Sequence, residues 1–95
     1  MPKVARKQEA ARYLIELRSP DGGFLDINEL ASRSRAACRE LTAEGTPMRF
    51  LRSVFVPEDG SCLLVLEAAS AESVRGAMRR AGLPSRRITK AEVVT

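Results

Sequence analysis

Glu16, Arg52 and Glu67 are the side chains of this sequence that alternation could bring together to do chemistry. Each falls in a segment that reads as a β-strand, at positions that place two carboxylates and one guanidinium on the same face of a sheet. Such a set could orient a polar ligand, or its carboxylates could offer oxygen atoms to a hard cation. The plainer alternative is an ion-pair cluster that neutralises itself and fixes the register of an interface. Tyr13 is the aromatic that a pocket beside this cluster would use. Glu58 and Asp59, in a turn, are two further oxygen donors, so that Glu16, Glu67, Glu58 and Asp59 make up the candidate metal ligands.

The elements that must position these residues centre on Met48 to Ala68, MRFLRSVFVPEDGSCLLVLEA. Asp59-Gly60 favours the positive φ angles of a two-residue hairpin turn, and that turn would set Glu58 against Ser61, Val54 against Val65 and Arg52 against Glu67. Before the hairpin, Arg12 to Arg18 alternates, with Tyr13, Ile15 and Leu17 on one face and Leu14 and Glu16 on the other. The run Ser19-Pro20-Asp21-Gly22-Gly23 breaks this strand. Asp26 with Glu29 three residues on has the form of a capping box, and Ile27, Leu30, Ala31, Ser34, Ala37, Cys38 and Leu41 recur on one helical face. Gly45 in a left-handed conformation and Pro47 end that helix.

After the hairpin, Ser70 caps a second helix with a narrow stripe of Val74, Ala77, Met78 and Ala81. Gly82 and Pro84 stop it, and Arg86 to Val94 reads as a last strand. The order β-α-β-β-α-β predicts an α+β, ferredoxin-like fold, a four-stranded antiparallel sheet with two helices on one face. The second strand is then an edge, where Pro57 is tolerated. Residues 1–10 read as a flexible basic tail and 11–95 as a single domain.

Two helices cover one face of such a sheet, and the other face should be polar. Here it is not. Leu63 and Val65 flank Glu67 on the third strand, and Leu14, Met48, Phe50, Val54 and Val56 are expected on the same side. An apolar patch of that size predicts a homodimer formed through the open sheet face, or a ligand cavity against it.

Several functions are excluded by composition. The 95 residues contain no histidine, which removes histidine-based triads and proton shuttles and the commonest transition-metal ligand. Cys38 and Cys62 have no close-spaced partner and read as buried hydrophobes, so neither a zinc site nor a disulfide framework is expected. Asp21-Gly22-Gly23 lacks the spacing of a phosphate-binding loop. The third strand has no aromatic on which a base could stack, and the net charge of +4 includes +2 from the tail, so nucleic acid is not expected as a partner. The longest apolar run, Leu63 to Leu66, is too short to cross a bilayer, and MPKVARKQEA has no secretory signal. No membrane association and a cytoplasmic address are expected.

The runs RYLIELRSP, LTAEG, RFLRSVFVPEDGSCLLVLEA and SAESVRGAMRRAGLPSRRI together resemble a bacterial domain-of-unknown-function family that includes a nickel-binding protein. The resemblance spans about residues 12–94, and its most specific part is LRSVFVPEDGSC with the glutamate of LVLEA and the AGLP turn. It implies a dimeric α/β-barrel of ferredoxin-like type, homodimerisation, and binding of a divalent metal ion, nickel, as cofactor. With no histidine, no ligand positions carry across. The expected function is a small dimeric domain that binds a ligand or metal ion. The alternatives are a small enzyme resembling the cofactor-free monooxygenases, with substrate between sheet and helices, and a structural protein-interaction module.

Overall fold

A computed structural model of the protein describes residues 10–18, 26–83 and 85–92. Most of the basic tail, the Ser19 to Gly23 break, Pro84, and the expected strand end at Val93 and Val94 lie outside the described residues. Six elements follow the expected order: β1 (Ala11–Arg18), α1 (Ile27–Ala43), β2 (Met48–Val56), β3 (Ser61–Ala68), α2 (Ala71–Ala81) and β4 (Ser85–Ala91). The sheet is antiparallel throughout, ordered β2-β3-β1-β4, with α1 over the β2 side and α2 over β4 and β3. This is the ferredoxin-like α+β arrangement.

Local chemistry sets the helix limits. The Asp26 side chain accepts a hydrogen bond from the Glu29 N–H at 3.1 Å, satisfying one of the orphan donors of the first turn of α1. The Glu29 carboxylate is turned toward Arg33, 3.3 Å away. At the other end Gly45 takes φ +103°, which lets Thr46 N–H donate to the Leu41 carbonyl at 2.8 Å and Gly45 N–H to that of Thr42 at 3.1 Å. In α2 the Ser70 hydroxyl accepts from Ser73 N–H at 3.1 Å, with Glu72 in the first turn and Arg79 and Arg80 in the last, each charge matched to the helix dipole. Arg80 also reaches α1, donating to both Glu44 carboxylate oxygens at 2.6 and 3.0 Å. That pairing pulls the Glu44 carboxyl below its usual range.

The helix stripes bury Leu30, Ala31, Ala37 and Cys38 from α1, and Val74, Ala77 and Met78 from α2, against the sheet. Tyr13, Ile15 and Leu17 meet them from β1, and Cys62, Leu64, Leu66 and Ala68 from β3. The Ser34 hydroxyl, within this core, has no hydrogen-bond partner among the described residues.

The hairpin departs from expectation twice. The loop is four residues, Pro57 to Gly60, closed by Val56 against Ser61, and not a two-residue turn at Asp59-Gly60. Pro57, with φ locked near −65°, starts the turn, and Gly60 at φ +67° donates back to the Val56 carbonyl at 3.0 Å. This moves the register by two residues, which leaves every side chain on its expected face. Further along, the pairing steps from Arg52–Val65 to Phe50–Leu66, so that Leu51 is one residue extra in a β-bulge. A one-residue step inverts the faces. Met48 and Phe50 therefore turn to the helices, where Met48 is buried, and Arg49 rather than Phe50 comes opposite Glu67, while Arg52 lies opposite Val65.

Candidate functional site

On the face away from the helices, three rungs run across the sheet. The first aligns Ala91, Arg12, Glu67 and Arg49, the second Thr89, Leu14, Val65 and Arg52, and the third Arg87, Glu16, Leu63 and Val54. Leu14, Leu63 and Val65 are half-buried and Val54 is 43% exposed, so an apolar strip remains on this face, smaller than expected because Met48 and Phe50 have turned to the helices.

Glu16, Arg52 and Glu67 do share this face, but they do not form the expected cluster. They occupy three different rungs. Glu67 is held by Arg49, 3.1 Å from its Oε1, and by Arg12, 3.7 Å from its Oε2. Arg52 is exposed and lies opposite Val65, while Glu16 lies between Arg87 and Leu63 in the register. Two departures are the physical reason: the four-residue loop moves Arg52 opposite Val65 and would set Phe50 against Glu67, and the Leu51 bulge then brings Arg49 there in place of Phe50. Arg52→Ala is accordingly expected to change protomer stability by less than about 0.5 kcal/mol in urea denaturation, the ordinary result at an exposed site. A loss of about 3 kcal/mol would restore the buried cluster.

Tyr13 is 7% exposed and belongs to the core on the helix side, away from these carboxylates. Glu58 and Asp59 sit exposed in the hairpin loop.

A groove of about 310 Å³ opens instead along the seam between α1 and β2. Arg35, Arg39 and Thr42 line it from the helix, and Met48, Arg49 and Phe50 from the strand. The Arg35 guanidinium lies 4.8 Å from the centre of the Phe50 ring, within cation–π range. The Thr42 hydroxyl donates to the Met48 carbonyl and accepts from the Met48 N–H, both at 3.0 Å, tying the end of the helix to the start of the strand. Cys38 contributes a thiol whose pKa burial pushes up to about 11, so it is uncharged at neutral pH. Sequence reading missed this groove. Its available signal was Arg35, Arg39 and Thr42 at four- and three-residue spacing, one strip of α1.

The donors for a metal ion are not assembled. Among the described residues no three of Cys, Asp and Glu come together, and Glu67 is already neutralised by two guanidiniums. Cys38 and Cys62 are buried, with thiol pKa values raised by desolvation, which disfavours the thiolate that a metal requires. The chain's remaining donors are carboxylates, which suit harder cations than nickel. The described residues of this chain do not fit a nickel site.

The family model for "Nickel responsive protein SCO4226-like" matches residues 13–91, from the second residue of β1's alternation to the end of β4. The chain belongs to this family. The crystal structure of SCO4226 from Streptomyces coelicolor A3(2) is similar, with a TM-score of 0.68 and 18% identity over 90% of this chain and 100% of that chain. At that identity the SCO4226 likeness establishes the shared fold. No curated protein matches the sequence. Among the described residues no helix is long and apolar enough to cross a membrane.

Proposed function

We propose that this member of the SCO4226-like family is a non-catalytic binding domain that works as a homodimer, two copies meeting through their open sheet faces. The observation that carries this reading is the apolar strip of Leu14, Val54, Leu63 and Val65 left without a helix. Such a strip in water is an interaction surface by default. Size agrees: strands of eight residues at about 3.3 Å each, four of them about 4.8 Å apart, give a face of about 500 Å² in projection. That is of the order a standard interface takes from each partner, about 800 Å² of accessible surface.

Sedimentation equilibrium from 1 to 100 μM, roughly the range where such interfaces dissociate, tests the dimer, and a monomer throughout overturns it. The family's description attaches a response to nickel, and this chain's donor set argues that the response does not run through a site within one protomer. Titration calorimetry with nickel should give no stoichiometric heat in the protein alone, and a saturable heat would reverse that statement. Free, buried cysteines are consistent with a reducing, cytoplasmic setting.

A further inference from the structure

We propose that the groove between α1 and β2 is a binding site for a small phosphate ester, its phosphate held by Arg35 and Arg39 and its carbon body laid on Met48 and Phe50. Among the described residues neither Arg35 nor Arg39 has a carboxylate within ion-pair distance, although Arg33, Arg49, Arg80 and Arg12 each have one. Two like charges one turn apart on a helix repel each other, and an anion between them converts that repulsion into attraction. A guanidinium presents its donors in a planar fork that matches phosphate oxygens two at a time.

Phe50 beneath the exposed Arg35 gives that guanidinium a preferred position, so less freedom is lost on binding. Thr42 locks the helix to the strand through both backbone groups of Met48, which fixes the width of the groove. The buried Cys38 supplies no negative charge to oppose an anion. Arg49 stands on the rim with Glu67 as its partner, so it adds field without being the primary ligand. At about 310 Å³ the groove admits a small molecule and is too small for a folded partner.

Phenyl phosphate and inorganic phosphate are the probes, followed through the backbone amide resonances of Thr42, Met48 and Phe50 at about 50 mM salt, where surface charges are only partly screened. Phenyl phosphate should saturate those shifts at least about tenfold more tightly than inorganic phosphate, the difference measuring the apolar floor. Arg39→Ala and Arg35→Ala should each weaken phenyl phosphate by about tenfold or more, the worth of one charge-assisted hydrogen bond. Arg33→Ala removes the same charge from the same helix and should leave binding within about twofold. Equal losses in all three variants would reduce the effect to net charge and overturn the site. So would the absence of saturation by about 10 mM phenyl phosphate, a limit set by the weakest affinities a specific pocket is expected to show. The primary ligands Arg35 and Arg39 stand on α1, away from the open face, so saturable binding should persist in Val65→Asp even though the rim residue Arg49 belongs to that face.

Discussion

Leu64→Ala is expected to lower the midpoint of thermal unfolding by roughly 15 °C while leaving the association of the chain unchanged. Leu64 is fully buried at the middle of β3, facing the helices, with Ile15 beside it on β1 and Ser53 on β2. Removing its branched end leaves a cavity among side chains that the sheet and both helices hold in place, so the neighbours can collapse only partly. Losses of this kind run to about 2–5 kcal/mol. For a domain of 95 residues each kcal/mol moves the midpoint by roughly 4–8 °C. Circular dichroism melts decide the matter. A shift of less than about 4 °C would mean that this position tolerates a void, and that the layer between sheet and helices is not the main source of stability.

Val65→Asp, one residue along, should do the opposite. Val65 points to the uncovered face, half-buried between Leu14 and Arg52 on the neighbouring strands. In a lone protomer the new carboxylate reaches water and lies near Arg52, so the fold should persist, with a penalty of up to about 1 kcal/mol for the poor fit of aspartate in a strand. Between two sheets the same carboxylate is buried, and its desolvation exceeds what the neighbouring Arg52 returns, so association should weaken at least about a hundredfold. Sedimentation equilibrium on wild type and variant side by side reads this, with far-UV circular dichroism to show that the variant is folded. Unchanged association would remove the open face as the interface. Taken together, the two neighbouring substitutions separate stability from assembly, because alternation along β3 sends successive side chains to different environments.

Much of the fold was legible because its signals are local. Asp26 and Ser70 announce the helix starts, and Gly45 and Gly82 their ends, since each needs only its own backbone neighbours to act. The period-two pattern of Tyr13, Ile15 and Leu17 against Leu14 and Glu16 assigned the faces of β1 correctly. The candidate site was less legible. Placing Arg52 against Glu67 required counting from the turn, and a count fails wherever one residue is inserted. The four-residue loop moved the count by two, which kept the faces but took Arg52 from Glu67 to Val65. The bulge at Leu51 moved it by one more and set Arg49, where an even count from that loop places Phe50, opposite Glu67. A run of the form MRFLRSV has apolar residues on both sides of the step, so nothing in the residue types marks where the extra residue sits.

The sequence by itself determined the order of elements, the one-sided placement of the helices and a short apolar strip of Leu14, Leu63, Val65 and Val54 on the second face, because capping, turn chemistry and hydrophobic periodicity act over a few neighbouring residues. Only the tertiary structure decided which charges meet: Glu67 with Arg12 and Arg49, Glu44 with Arg80, and Arg35 beside Phe50 and Arg39 in one groove. The physical reason is range. A guanidinium finds its partner across strands and between elements, where a one-residue change in register shifts a side chain from one face of the sheet to the other.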